Sequence, residues 1–431
     1  MAMSRVKGPN AITALKRGDR SEMAGILFNN CRIFDGAAMV PGESMAVLVE
    51  DGRIKEISDQ PISISDAQLI EAEGRVLMPG LIDAHYHALL ADLNVANLDI
   101  MPPSLLHQHA NMNLKATLDR GYTSVRDAGG ADIGLVRAVA DGLIPGPRIF
   151  HAGKALSQTG GHGDMRPATH FEPCACAAYH GPICAVADGV DEVRKAVREE
   201  LRKGAAQIKL MLSGGVLSPS DPVWMDQYSE AEIRAAVEEA ATRRTYVMAH
   251  AHTASAARRC VDYGVRSIEH GSLIDRETAE YVAASDCYVV PTLSTIHMMK
   301  ERGPSLGLPD IFADKLGTLF EDAQRAVAHC HEAGVKLGLG SDLIGPLHEF
   351  QAMELVLRAE ITSPAEALIA ATQTNAALLD RAGELGTVSL GAIADLLLVD
   401  GDPLANIDLL QHQGAHLSVI MKAGTLHKCT L

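Results

Sequence analysis

Eight short apolar segments recur between residues 81 and 341, each parted from the next by a stretch with helical periodicity. Strands that run in the same direction need a long return path, which a helix supplies. This order therefore dictates a parallel sheet covered by helices. The segments are 81–87 (LIDAHYH), 122–128 (YTSVRDA), 147–152 (PRIFHA), 206–212 (AQIKLML), 245–251 (TYVMAHA), 265–270 (VRSIEH), 287–292 (CYVVPT) and 335–341 (VKLGLGS). Between them, Val193, Val197 and Leu201 recur every four residues and predict a helix over 188–204 with a buried stripe. Ser229 followed by Glu232 forms a capping box that starts another helix over 229–243. Eight such units fit a closed (β/α)8 barrel of the TIM type. An open doubly wound sheet is the alternative, but no G-x-G-x-x-G loop follows the first segment to support a dinucleotide-binding version.

Outside this alternation the pattern changes to period two. Residues 24–57 alternate apolar and polar positions and turn at Asp51-Gly52, a hairpin signal. Residues 386–400 and 416–428 read similarly, punctuated by Gly391 and the turn Asp400-Gly401-Asp402-Pro403. The expected α/β organisation is thus a flexible tail over 1–22, a small β-sandwich domain built from 23–78 and 384–431, and a barrel over 79–383. A chain of 431 residues has room for both units.

Charge and cysteine usage bound the partners. The formal net charge is −16, from 54 acidic against 38 basic residues, which argues against nucleic acid or an anionic membrane surface. The 8 cysteines are scattered through a long chain, which points to a reducing compartment, the cytoplasm, rather than a disulfide framework. No apolar run approaches the roughly 20 residues that span a bilayer. The first 22 residues carry Arg5, Lys7, Lys16, Arg17 and Arg20 without the apolar stretch of a secretory signal. A small-molecule substrate and further copies of the chain are the expected partners.

The chemistry lies where polar residues interrupt the apolar segments. Barrel sites form at the C-terminal ends of strands, and residues two apart on a strand face the same way. His85 and His87 end the first segment on one face, and Lys209 lies between Ile208 and Leu210 in the fourth. His250 ends the fifth, His270 the sixth, and Asp342 follows the eighth. Singly, each has a bland account: a histidine packs at a strand end, a lysine reaches to solvent, an aspartate caps the next helix. Together, six potential ligands converge on one mouth, and a buried lysine demands a paired charge or a modified nitrogen.

The runs VLMPGLIDAHYH, QIKLMLSGG, VMAHAHT, SIEHGS, LGSD and GTVSLGAIADLLLVDGDP resemble the amidohydrolase superfamily, over about residues 24–410. TGGHGD, SGGVLSPSDP, QYSEAEIRAAVEEA and SIEHGSLID are most similar to the imidazolonepropionase-like branch, which contains Xaa-Pro dipeptidases. Ochratoxin-hydrolysing amidases, molinate hydrolase and phenylurea hydrolases are similar too. The resemblance implies two divalent ions per chain, with His85, His87 and Asp342 on the first and His250 and His270 on the second. Lys209, carboxylated by CO2, would bridge them. Zinc is the expected metal, with manganese or cobalt acceptable to the same ligands. The implied reaction is attack by a metal-bridging hydroxide, with Asp342 passing the proton to the leaving amine.

His162, flanked by glycines in 160–164, is the candidate donor to the developing oxyanion. Tyr228 matches the position that binds a substrate carboxylate in similar dipeptidases. His252 is expected to support His250, Asp92 and His348 lie in loops where specificity would be set, and the long 153–187 and 293–310 loops are expected to cover the site. A Cys174, Cys176, Cys184 and His180 cluster reads as a flap or packing group rather than structural zinc. The expected substrate is a dipeptide or N-acyl amino acid with a free carboxylate. A urea, carbamate or cyclic amide is the alternative, and a catalytically silent scaffold the third reading.

Overall fold

The computed structural model describes residues 25–166, 181–218 and 221–431. The tail over 1–22 and the residues Cys174, Cys176 and His180 lie outside the described residues.

The period-two segments become strands. They are β1 (Gly25–Ile33), β2 (Met45–Glu50), β3 (Arg53–Ser58), β4 (Ala67–Glu71) and β5 (Val76–Pro79). β2 and β3 form the expected hairpin, with Glu50 opposite Arg53. Asp51 (φ 50°) and Gly52 (φ 75°) both take the left-handed conformation that a tight two-residue connection needs.

All eight apolar segments of the alternating region contain a strand. β6 (Leu81–Tyr86), β7 (Tyr122–Asp127) and β8 (Arg148–His151) form one parallel sheet. A second parallel sheet holds β9 (Ala155–Ser157), β10 (Cys184–Val186), β11 (Ile208–Met211), β12 (Val247–Thr253), β13 (Ser267–Leu273), β14 (Tyr288–Val290) and β15 (Lys336–Leu337). Its order is β10-β9-β11-β12-β13-β14-β15. Short β9 and β10 were not foreseen; they pair with each other inside the 153–187 connection. Backbone hydrogen bonds also join the two sheets. Ala206 N–H donates to the His151 carbonyl (2.8 Å) beside β8, and Ala84 N–H to Leu339 (2.9 Å) beside β15. The last segment is a strand only at 336–337 because two glycines follow. A Cβ on Gly340 would lie 2.5 Å from that of His85, so glycine here lets the eighth segment press against the first.

Helices return the chain between strands as the periodicity predicts. Gly189–Arg202 buries Val193, Val197 and Leu201, and Glu230–Thr242 opens with the Ser229/Glu232 capping box. These faces pack on Leu210, Val247, Ile268 and Val289 of the second sheet in one apolar cluster. Each such side chain taken fully from water contributes about 1.5–3 kcal/mol. The 293–310 connection is not an open loop: Leu293–Arg302 is helical.

The last strands, β16 (Leu396–Val399), β17 (Leu417–Lys422) and β18 (Thr425–Cys429), join the first ones. The combined eight-stranded sheet runs β18-β17-β16-β5-β1-β2-β3, with β4 also on β1. β5 is the seam, parallel to β1 on one edge and antiparallel to β16 on the other. Among the described residues no helix is long and apolar enough to cross a membrane.

Candidate active site

Strand ends carry the polar cluster. His85 is in β6 and His87 just beyond it, and Asp342 follows the eighth segment, whose backbone is tied to β6 by Asp342 N–H donating to the His85 carbonyl (2.8 Å). That tie brings Asp342 Oδ1 to 3.4 Å from His85 Nε2 and 3.2 Å from His87 Nε2. The three residues offer one ligand atom each, all within 4.8 Å of one another. His250 in β12 and His270 in β13 stand on adjacent strands, their ring centroids 4.5 Å apart, and His85 lies 4.8 Å from His270. Lys209 in β11 is buried and lines the same cavity. The six ligand candidates therefore line one cavity. Asp342 (φ 51°) and His270 (φ 71°) hold left-handed backbone conformations uncommon for such residues, strain of the kind that collects at functional sites.

Each imidazole has one nitrogen engaged. His85 Nδ1 bonds to Glu269 Oε2 (2.7 Å), His87 Nδ1 to the Gly129 carbonyl (2.9 Å), His250 Nε2 to the Gly214 carbonyl (3.1 Å) and His270 Nδ1 to Thr292 Oγ1 (2.8 Å). Such outer bonds fix the ring and leave the opposite nitrogen for a metal. Burial pulls His85 down to about 4, and His250 and His270 well below the usual histidine value, which favours the neutral, lone-pair form. His87 goes the other way: burial lowers it, but the hydrogen bond and charge of Asp342 outweigh that. Burial also opposes ionisation of Asp342, yet His85, His87 and Lys209 hold it down to about 2. Lys209 is drawn by burial to about 8 despite the charges of Glu269 and Asp342. Three imidazoles held neutral, a fourth against an ionised carboxylate, and a buried lysine make a donor set that fits divalent metal.

Sequence reading missed the groups behind this donor set. Glu269, which orients His85, is fully buried and ion-paired with the equally buried Arg126 (2.8 Å). Both interrupt apolar segments, in SVRDA and SIEH, by the same signal that singled out Lys209.

The cavity, about 710 Å³ including its open mouth, has an apolar side made by Leu90, Val95, Met165, Ile183, Ile296 and Met299. Parts of both long connections thus do cover it. His162 lines it, stacked on His250 at 4.1 Å, with Nδ1 2.9 Å from Ser218 Oγ. His252 also lines it, Nδ1 bonded to Ser272 Oγ (3.1 Å) and its ring stacked on His270. Tyr228 is placed elsewhere. Its ring belongs to the apolar cluster between sheet and helices, and its buried hydroxyl has no hydrogen-bond partner among the described residues. Asp92 accepts from Asn94 N–H and Asn97 Nδ2 at the start of a short helix, and His348 packs its ring on Tyr86; neither lines the cavity. Cys184 lines it as a buried free thiol.

Comparison with known proteins shows the family. The amidohydrolase family profile matches residues 76–426. Ochratoxinase of Aspergillus niger is 36% identical over 374 residues, 82% of this chain and 76% of that protein. A crystal structure of a prolidase complexed with N-methylphosphonate-L-proline is 44% identical with a TM-score of 0.91, covering 94% of this chain and 100% of that one. A Xaa-Pro dipeptidase crystallised with bound methionine is 29% identical with a TM-score of 0.83, over 94% and 100% of the two chains.

Proposed function

Because the chain belongs to the amidohydrolase family and is a hydrolase acting on C–N bonds, we propose that it cleaves the amide bond of a dipeptide or N-acyl amino acid bearing a free carboxylate. The observation that carries this reading is one cavity lined by His85, His87, Lys209, His250, His270 and Asp342 together with His162 and several apolar side chains. The prolidase and dipeptidase likenesses support the substrate class. In this reading the two parallel sheets close into a (β/α)8 barrel over 79–383, supported by the backbone hydrogen bonds between them. Residues 23–78 and 384–431 then form one β-domain beside it.

Two divalent ions, zinc in this proposal, would be held by His85, His87 and Asp342 and by His250 and His270. Lys209 would serve both after its neutral amine takes up CO2 and loses a proton, which turns a repelling ammonium into an anionic oxygen ligand. When bound, the ions would acidify a water and polarise the scissile carbonyl. The chain's own groups do the rest. Asp342, ionised and next to both first histidines, accepts a proton and returns it to the leaving nitrogen. His162 donates from Nε2 to the carbonyl oxygen as charge builds there. The apolar side chains take the acyl side and exclude water.

The test is a screen of zinc- and bicarbonate-loaded protein against dipeptides and N-acyl amino acids, each paired with its C-terminal amide. Free acids should turn over much faster than amides. Equal rates would end the carboxylate reading, and turnover of neutral ureas or carbamates instead would establish the alternative.

A further inference from the structure

We infer that Asp221, a residue of the connection after β11, positions His162 for its encounter with the substrate carbonyl. The inference rests on the proposed role of His162 and adds the device that holds it.

Two loops are locked together around the His162 ring. Its backbone N–H donates to Gln227 Oε1 (3.0 Å). Its Nδ1 faces Ser218 Oγ at 2.9 Å and Asp221 Oδ2 at 3.3 Å. Asp221 Oδ2 also accepts from Gly215 N–H (3.1 Å) and Gln227 Nε2 (3.2 Å), so one oxygen gathers both loops. The ring is flanked by His250 on one face and by Gly215, where a Cβ would lie 2.3 Å from His162 Cε1. No side chain but hydrogen fits there while the ring stays in place.

The loop that carries Asp221 is fastened in turn. Lys315, on the helix Asp310–Leu316, donates from Nζ to the carbonyls of Gly215, Ser218 and Asp221 (2.9, 2.7 and 2.8 Å). One ammonium thus gathers the turn around the carboxylate. Burial opposes ionisation of Asp221, but His162 and Lys315 outweigh it.

The arrangement is that of a carboxylate behind an imidazole. With Nδ1 engaged, Nε2 is the ring nitrogen left for substrate. The carboxylate behind Nδ1 fixes the ring plane and keeps Nε2 turned toward the developing oxyanion. Asp221 touches no substrate itself and works through His162.

The experiment is a double-mutant cycle on the zinc-loaded enzyme, with leucyl-proline as substrate and N-methylphosphonate-L-proline as inhibitor. Asp221→Asn should lower kcat/KM by about 10–100-fold, the usual scale for removing the partner that orients a site group. Inhibitor affinity should weaken by a similar factor while bound zinc per chain is unchanged. In a His162→Ala background the same change should alter kcat/KM by less than about 2-fold, because its only route has gone. An equal loss in both backgrounds would overturn the inference and make Asp221 a scaffold residue. His162→Ala with wild-type kcat/KM would instead overturn the reading of His162 beneath it. If Asp221→Asn does not fold, Ser218→Ala runs the same cycle without stranding a buried charge, and an additive result there is equally fatal.

Discussion

Replacing Glu269 by glutamine should loosen His85 and strand a cation in the interior. The carboxylate accepts from Arg126 Nη2 on both oxygens (2.8 and 3.0 Å), from Ser267 Oγ (2.5 Å) and from His85 Nδ1 (2.7 Å). An amide of the same shape turns one acceptor into a donor, which must then face Arg126 and Ser267 or His85. Removing one partner of a buried ion pair typically costs about 3–5 kcal/mol, since the other charge stays out of water unpaired. Losing the outer bond to a ligand histidine weakens metal about 10–100-fold. The two effects separate experimentally: urea denaturation of metal-free protein reads the first, and zinc titration with a competing chelator the second. Burial opposes ionisation of Glu269, but Arg126 foremost holds it down to about 2, from an unfolded value near 4.5. Its stabilisation is therefore present above about pH 4.5 and lost as pH falls through about 2, so the gap between wild type and variant should be flat from pH 5 to 8. A loss below about 1 kcal/mol in the metal-free protein with unchanged zinc affinity would refute the reasoning.

Lys209→Ala should abolish hydrolysis, with partial rescue by added short-chain carboxylic acids; full activity without rescue would remove Lys209 from the ligands. Asp342→Asn should retain some metal and lose about 10²-fold or more in kcat, the scale of a lost proton shuttle, whereas near-normal turnover would exclude it from the mechanism. Tyr228→Phe should change turnover of a free-acid substrate and of its amide by less than about 2-fold, because the ring packs in the apolar cluster away from the cavity; a loss of about 10- to 150-fold on the free acid alone, the scale of a charge-assisted bond of roughly 1.5–3 kcal/mol, would show that the hydroxyl reaches the substrate. Glu354 is buried, with Oε2 accepting from Ser294 N–H, and burial raises it to about 7. Folding then takes up a proton between about pH 4.5 and 7, so wild-type stability should fall by about 1.4 kcal/mol per pH unit across that window. Glu354→Gln should raise the melting temperature at pH 8 relative to wild type and match it at pH 4; a gap independent of pH would show that Glu354 does not titrate there.

Much of this was legible from residue order. Each of the eight apolar segments contains a strand because β-branched and aliphatic residues buried on both faces leave little else to form. The six ligand candidates were visible because a polar residue in such a segment is expensive unless it has work to do. Arg126 and Glu269 carried the same mark and were passed over, since their types suggested no ligand. Asp221 carried none: it sits among loop residues where aspartate is ordinary, and its meaning arises only when two loops distant in sequence meet at His162. Tyr228 shows the converse. Motif position suggested a substrate contact, but the left-handed backbone at φ 56° and the anchoring of its N–H by Gln158 set the ring among apolar neighbours.

The seam at β5 has a consequence in time. Leu77 and Met78 pair on one side with β16, over 300 residues later in the chain, at Leu398 and Leu397. On a ribosome adding roughly 5–20 residues per second, that partner arrives some tens of seconds after β5 itself. Until then the nascent chain presents the bare edge of an apolar strand, the kind of surface that recruits other chains. Weakening β16, for instance by Leu397→Pro, should therefore lower the yield of soluble protein far more than it lowers the activity of the molecules that do fold.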